Sequence, residues 1–286
     1  MKELFVHVGM HKTATTMLQN DVFPNLRGVL YLGRPHELRQ GAITNSYIRL
    51  FEGPEDEKVL VSNESLSGPM LPFFQGRSGH GTWAAGQVKA LAALGKRIPH
   101  AKPIICFRRP VGMVKSLYRH YVKAGGRMEF GDFFSLDGPS LFCVEDFTYS
   151  ARLAAIEDNF EHSPFVIDFD DLIRQTDRVL EGLCQYMGIP KLETHEYTVT
   201  RANSGLKGRQ LRLMRAMNTL DSGNIVSEGG GVPLTNRASV FAKVSPWNIS
   251  RLVPSGTDFS LSPQVEQDIE KATDADWEHV KSRTTY

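Results

Sequence analysis

The sequence has few cysteines, no excess of either charge and no long apolar run. Its three cysteines, Cys106, Cys143 and Cys184, are odd in number and widely spaced in apolar surroundings, which favours buried thiols over a disulfide framework or a zinc site. Lysine and arginine number 33 against 32 for aspartate and glutamate, a formal net charge of +1, so no general nucleic-acid or membrane surface is indicated. No segment approaches the length of a membrane span, and the strand-like amino terminus lacks a secretion signal. We therefore expect a cytoplasmic protein.

The sequence also lacks a linker or a shift in composition that would mark a domain boundary. A chain of 286 residues that is 41% apolar can bury one large core, so a single domain over residues 1–286 is predicted. The piece from Ser222 to Pro233 is glycine-rich, with EGGG at its centre. It is a candidate mobile loop, with a plain surface loop as the alternative.

Four short runs rich in β-branched or aromatic residues have the length of buried strands, and helical patterns lie between and after them. The predicted strands are Leu4–Val8, with His7 packed inside it, Val59–Ser62, Pro103–Phe107 and Phe165–Phe169. The predicted helices are Trp83–Leu94, Val111–Val122, Ala151–Phe160, Arg178–Met187, Lys207–Leu220 and Pro263–Lys281. This alternation predicts an α/β fold with a P-loop-like parallel sheet covered by helices on both faces. Ligands of such sheets bind beyond the carboxyl ends of the strands.

The turn after the first predicted strand reads VGMHKTATTMLQ. Lys12 follows Gly9 by three residues, three threonines follow in four positions, and a helical pattern then begins. Unpaired N–H groups at a helix start, threonine hydroxyls and a lysine together favour a bound phosphate. The triphosphate motif GxxxxGK[ST] is not formed, because the spacing from Gly9 to Lys12 is too short, and the dinucleotide motif GxGxxG is absent. A loop this short predicts one cradled phosphate group.

This turn resembles the 5′-phosphosulfate loop of the sulfotransferases, whose usual form is PKTGTT or HKTGTT. The resemblance implies the donor 3′-phosphoadenosine 5′-phosphosulfate (PAPS) as co-substrate. The residues that would hold it are His11, Lys12, Thr13, Ala14, Thr15 and Thr16. The sequence departs from the family at Ala14, where glycine is common. Alanine is acceptable there if its φ is negative, whereas a left-handed backbone would strain it.

A second match to the family lies in ICFRRPVGMVKSLYRHY. Arg108 ends a predicted strand and Ser116 follows eight residues later, as do the arginine and serine that hold the 3′-phosphate in the family. A guanidinium can donate hydrogen bonds from two N–H groups to one phosphate. Pro110 suits the first turn of a helix. The alternative is an exposed pair of arginines with Ser116 as a filler. Lys207 and Arg209, in NSGLKGRQ, could reach the same phosphate or simply begin a basic helix.

A third match, FVIDFDDLIRQTDRVLEGLCQYMGIP, resembles the family's strand, acidic pair and helix with its glycine-isoleucine-proline ending. Asp170 and Asp171 are interpreted as a helix cap and a first-turn carboxylate rather than as catalysts. The resemblance thereby extends in ordered pieces from about residue 3 to residue 190.

Sulfuryl transfer requires an in-line acceptor, stabilisation of the leaving phosphate oxygen and usually a base. Lys12 is the candidate for stabilising the oxygen. Glu64, in VLVSNESLSG just past the second predicted strand, is the first candidate base, with a helix cap or salt bridge as the alternative role. The weaker candidates are His11, His120 and Glu37, the last in YLGRPHEL, which resembles a GRPxE segment of a bacterial member of the family.

The sequence thus predicts a sulfotransferase that moves a sulfuryl group from PAPS to a hydroxyl, or less readily an amine, of a small-molecule or carbohydrate acceptor, without a metal. One alternative is a small ATP-dependent kinase, which would need magnesium ligands and a complete triphosphate loop. Another is a non-catalytic nucleotide-binding protein on the same fold. No motif specifies the acceptor or an oligomeric state. Aromatic residues that could contact an acceptor, or belong to the core, are Phe73, Phe74, Trp83 and Phe133.

Overall fold

The computed structural model describes residues 3–33, 58–68, 71–72, 81–197, 206–220, 257–284 and 286. Glu37, Phe73, Phe74 and the glycine-rich segment 222–233 lie outside the described residues. Within the described part of the chain, no helix has the length and apolar character needed to cross a membrane. The single domain and the cytoplasmic location stay predictions.

Within the described ranges, five parallel strands form one sheet in the order β2-β3-β1-β4-β5. The strands are β1 (Glu3–Val8), β2 (Leu30–Leu32), β3 (Lys58–Asn63), β4 (Lys102–Phe107) and β5 (Phe165–Asp168). Because β1 pairs with β3 on one side and with β4 on the other, the chain crosses between the two halves of the sheet at β1. Ligands of open parallel sheets bind beside such a crossing point.

Helices precede and follow the strands along the chain, as the sequence predicts. They are α1 (Thr15–Met17), α2 (Thr82–Arg97), α3 (Pro110–Lys123), α4 (Phe130–Phe133), α5 (Ser150–Glu157), α6 (Phe169–Arg174), α7 (Thr176–Met187), α8 (Gly208–Leu220) and α9 (Pro263–Lys281). A π-helical turn, Leu18–Val22, continues α1, and a short 3-10 turn, Glu64–Ser67, follows β3 directly.

Both faces of the sheet are buried. Val6 and Val8 of β1 pack into one core with residues of α2, α5 and α9, whereas Phe5 packs into a second core with residues of α7. This alternation follows from the pleat of a strand, which points successive side chains to opposite faces. The predicted α/β fold with helices on both faces of a parallel sheet is therefore confirmed.

The segment after β5 corrects one detail of the sequence interpretation. Phe169 was expected to end the strand but is the first residue of α6. The carboxylate of Asp168 accepts a hydrogen bond from the N–H of Asp170 at 2.8 Å and caps the helix. Asp168 is thus the cap, and both Asp170 and Asp171 lie in the first turn, where carboxylates favour a helix start.

The aromatic residues that can be checked belong to the core. Trp83 and Phe133 are 2% and 0% exposed and pack around α3 with Phe142 and Tyr121. The other predicted role of Trp83 and Phe133, contact with an acceptor, is therefore not supported. The three cysteines are free and buried, as expected.

Candidate active site

The turn after β1 contains two residues with a left-handed backbone. Lys12 has φ 66° and Ala14 has φ 58°, and they are the only non-glycine residues with positive φ in the described part of the chain. Thr13, between them, does not have positive φ. A backbone that alternates in this way points successive N–H groups toward one place and forms an anion-binding nest. Ala14 therefore occupies a conformation that suits glycine. Because its φ is positive, the alanine backbone is strained.

The threonines of this turn divide into two kinds. The hydroxyls of Thr13 and Thr15 are buried and donate to the carbonyl oxygen of Met10 at 2.7 and 3.1 Å. Since a hydroxyl has one proton to donate, these two side chains brace the turn in this structure. Thr16 is exposed at the start of α1, whose amino terminus has no side-chain cap. Among the three threonines of the turn, Thr16 is the exposed one.

Gly9 brings the end of β1 against the end of β3. A Cβ atom on Gly9 would lie 2.9 Å from the Cγ2 atom of Thr15 and 3.3 Å from both Cα and Cγ of Glu64. Such distances leave no room for a side chain, so the close approach requires glycine. The approach places Glu64 directly beside the turn.

Glu64 contacts His11 across this approach. Nδ1 of His11 lies 3.3 Å from Oε2 of Glu64, and the two side chains are 21% and 20% exposed. The backbone at Glu64 is fixed, because the Asn63 side chain accepts from the N–H of Ser65 at 2.9 Å and caps the 3-10 turn. Two candidates from different parts of the sequence are thereby brought together.

Lys12 is partly buried in a site with more positive than negative charge. Burial lowers the pKa of Lys12, the nearby charges of Lys123 and Arg108 lower it further, and Glu64 opposes them. A bound anion would favour the charged ammonium, so anion binding and the charge of Lys12 would support each other.

Arg108 reaches from the end of β4 to the same turn. Its Nη1 atom donates to the carbonyl oxygen of Lys12 at 3.3 Å, and its guanidinium lies 4.2 Å from the ring centre of Phe169. A Cβ on Gly112 would approach Nε of Arg108 to 3.1 Å, so a small residue is needed there. That Nε is buried and has no hydrogen-bond partner within the described part of the chain. A donor of the guanidinium is therefore available for an anion.

Arg109 points away from the site. It lies 3.8 Å from a carboxylate oxygen of Glu270 and 3.4 Å from one of Asp274, both on α9. The two adjacent arginines thus differ in direction, and the predicted alternative of an exposed arginine pair holds for Arg109 only.

One face of α3 connects Arg108 with the turn. Gly112, Ser116 and His120 follow at intervals of four residues and share this face. Gly112 meets Arg108, and Ser116 is half-buried between the other two. Burial, together with nearby positive charges such as those of Lys12 and Lys123, lowers the pKa of His120 to about 3. The imidazole of His120 is therefore neutral near pH 7 and can act as a hydrogen-bonding group.

His7 is a strand residue with a structural role, as expected. It is fully buried, and its Nδ1 atom lies 2.7 Å from the hydroxyl oxygen of Ser62 on β3. Gln19 donates to the same hydroxyl oxygen at 3.0 Å. Burial lowers the pKa of His7 to about 4.

Lys207 and Arg209 are not brought to the turn by any described contact. Lys207 forms an ion pair with Asp258, and Arg209 is exposed. The charge of Asp258 also opposes the lowering of the pKa of Arg119, which burial causes. The ion-pair partner of Lys207, Asp258, therefore acts electrostatically on Arg119 of α3.

Three residues of the site were missed by sequence reasoning. The positive charge of Lys123 lowers the pKa of Lys12. Lys123 is three residues beyond His120, a spacing that places it close to the same helix face. Phe169 and Gly112 hold Arg108, and only the fold brings them to it. No group of three or more histidine, cysteine or acidic side chains that could hold a metal occurs among the described residues.

The fold and the site define a parallel α/β protein with an anion-binding turn at the crossing point of its sheet. No family model and no curated protein matches the chain. Among solved structures, the chain is similar to a sulfotransferase from Alicyclobacillus acidocaldarius, with 18% identity, 76% of this chain and 93% of that chain covered, and a TM-score of 0.43. It is also similar to the mouse sulfotransferase SULT7A1 complexed with PAP, with 12% identity, 98% and 88% covered, and a TM-score of 0.46.

Proposed function

We propose that the protein is a PAPS-dependent sulfotransferase. It would move the sulfuryl group of PAPS to a hydroxyl of a small-molecule or carbohydrate acceptor and release 3′-phosphoadenosine 5′-phosphate (PAP). The observation that carries the proposal is the nest at His11–Thr15, with Lys12 inside it, Glu64 on one side and Arg108 on the other. The resemblance of the sequence HKTATT to the phosphosulfate loop supports the same ligand.

The donor would bind through two anionic groups. In the proposed complex, the nest, Lys12 and the exposed hydroxyl of Thr16 hold the 5′-phosphosulfate. Arg108 and Ser116 hold the 3′-phosphate, and Nε of Arg108, which has no hydrogen-bond partner among the described residues, supplies one donor. The contact of Arg108 with the carbonyl oxygen of Lys12 supports two neighbouring sites, one for each anionic group of a single nucleotide.

The proposed chemistry is a direct in-line transfer. The acceptor oxygen attacks sulfur, and the bond between sulfur and the bridging phosphate oxygen breaks. PAP leaves with that electron pair, and the Lys12 ammonium stabilises the charge that develops on the bridging oxygen. Glu64 takes the acceptor proton, because its carboxylate lies beside the turn that would hold the reacting group.

Calorimetry with PAP and with ATP tests the donor. We expect PAP to bind at least ten times more tightly than ATP, since the turn is too short to wrap a triphosphate. Arg108→Ala should weaken PAP binding by about 10- to 100-fold, the usual cost of losing hydrogen bonds to a charged group. The adjacent Arg109→Ala is the matched control and should leave PAP affinity within twofold, because Arg109 faces α9. Tight binding of ATP without binding of PAP would instead support the kinase alternative.

Labelled PAPS tests transfer. Incubation with pools of carbohydrates, phenols and lipid alcohols should label at least one pool, and Lys12→Ala should abolish that labelling while the variant stays folded. Binding of PAP without labelling of any pool would favour the non-catalytic alternative.

A further inference from the structure

We propose that His11 is a positioning residue for Glu64. Its Nδ1–H would hold one carboxylate oxygen of Glu64 and so fix the orientation of the carboxylate that takes the acceptor proton. The inference rests on the proposed function of Glu64 as the base. The observation behind it is the 3.3 Å distance between Nδ1 of His11 and Oε2 of Glu64, two side chains that are each about one-fifth exposed.

The backbone of Glu64 is fixed by its neighbours. Glu64 is held by the Asn63 cap and by the hydroxyl of Ser67, which donates to the Glu64 carbonyl oxygen at 2.8 Å. Its Cγ atom also lies against Gly9. His11 directly precedes Lys12, whose backbone is left-handed, in the donor-binding turn. The contact between the side chains therefore joins the donor-binding turn to the end of β3 and can give the carboxylate a single orientation.

The proposed hydrogen bond requires one particular tautomer of His11. A carboxylate only accepts, so the proton must lie on Nδ1 of the imidazole. During transfer, the acceptor proton passes to the carboxylate of Glu64 while the acceptor oxygen binds sulfur and the bond between sulfur and the bridging phosphate oxygen breaks. His11 keeps its own proton throughout. Its N–H also opposes the displacement of the Glu64 carboxylate when the negatively charged donor arrives.

Nitrogen-15 NMR of the histidine side chains in the full chain tests the pair without a substrate. The His11 signals are assigned by their loss in His11→Asn. We expect the Nδ1–H tautomer at pH 8 in the wild type and its loss in Glu64→Ala. A wild-type His11 with its proton on Nε2 would overturn the proposal.

Kinetics of PAPS cleavage with water as the acceptor, followed as release of labelled sulfate, test the role in catalysis. His11→Ala should lower kcat by about 10- to 100-fold and leave the KM for PAPS within threefold. His11→Asn should recover most of kcat, because its amide nitrogen can occupy the position of Nδ1. His100→Ala is the matched control, since His100 is an exposed histidine beyond α2, and it should have no effect.

The outcomes separate the two proposals. A tenfold rise in KM with unchanged kcat in His11→Ala would make His11 a ligand of the donor and overturn the positioning role. An intact Nδ1–H tautomer in a protein that binds no PAP would overturn the proposed function while the pair itself stands.

Discussion

Ala14 is the residue at which the site departs most from an unstrained backbone. An L-residue in the left-handed region costs about 1 to 2 kcal/mol, whereas glycine adopts it freely. We expect Ala14→Gly to raise the free energy of unfolding by about 1 kcal/mol, since part of the gain is offset by the greater freedom of glycine in the unfolded chain. Urea unfolding measures the change.

The same substitution at Ala85 is the control for Ala14→Gly. Ala85 is exposed within α2, where glycine lowers helix stability by about 1 kcal/mol. The two variants should therefore shift the free energy of unfolding in opposite directions. A loss of stability in both would show that φ at Ala14 is not a source of strain.

Individual site residues could be predicted from the sequence to the extent that their chemistry is local. Lys12 and Arg108 each follow a strand, and each matches a motif with fixed spacing. The left-handed φ of Lys12 and the contact of Phe169 with Arg108 could not be predicted in this way. A lysine rarely adopts positive φ, and the ring contact depends on how α6 begins beside β4.

At the level of elements, the approach of β1 to β3 at Gly9 positions Glu64. Gly9→Ala would place a methyl group 2.9 Å from the Thr15 methyl and 3.3 Å from the Glu64 backbone. Overpacking of this kind costs about 1 to 3 kcal/mol. We expect that loss in urea unfolding, together with a changed environment of His11 in side-chain NMR, because Glu64 must move away from the turn.

Gly131→Ala provides the comparison for Gly9→Ala. Gly131 is exposed in α4, has no positive φ, and a Cβ there would meet no atom within 4 Å. Alanine should therefore leave stability unchanged or raise it by up to about 1 kcal/mol, because it favours helix. Equal losses for the two variants would contradict the close approach at Gly9.

The four predicted strands lie within one residue of the observed ends, because parallel strands buried on both faces are almost continuously apolar. The three-residue strand β2 was missed, since Leu30 at its start is 44% exposed and its pattern is too short to detect. The predicted helix to Phe160 ends at Glu157. Helix ends depend on local hydrogen bonds, which apolar periodicity does not report.

For the whole molecule, the sheet order explains why residues from distant parts of the sequence meet. The carboxyl ends of β1, β3 and β4 lie side by side in the sheet, so the turns that follow them share one edge. Lys12, Glu64 and Arg108 each lie in one of these turns. The motif spacing could predict each turn. The contact of His11 with Glu64 could not be predicted without knowing that β1 and β3 are neighbours in the sheet.

The stability of the whole molecule should fall in mild acid because histidines are buried. Burial lowers the pKa of His7 from 6.5 to about 4, and that of His120 to about 3. Between pH 6.5 and those values the unfolded chain binds protons that the folded chain does not, so the free energy of unfolding decreases as the pH falls. Each histidine contributes a slope of up to about 1.4 kcal/mol per pH unit, and the contribution of His7 levels off below about pH 4.

Urea unfolding of the wild type and of His7→Gln between pH 6.5 and 5 measures this slope. The window lies above the usual pKa range of carboxylates, so buried histidines dominate it. His7→Gln will lower stability at every pH, because it disturbs the contact with Ser62, and the informative quantity is therefore the slope. We expect the variant's slope to be smaller by up to about 1.4 kcal/mol per pH unit. An unchanged slope would mean that His7 takes up its proton in the folded protein as readily as in the unfolded chain, in conflict with its complete burial between β1 and its neighbours.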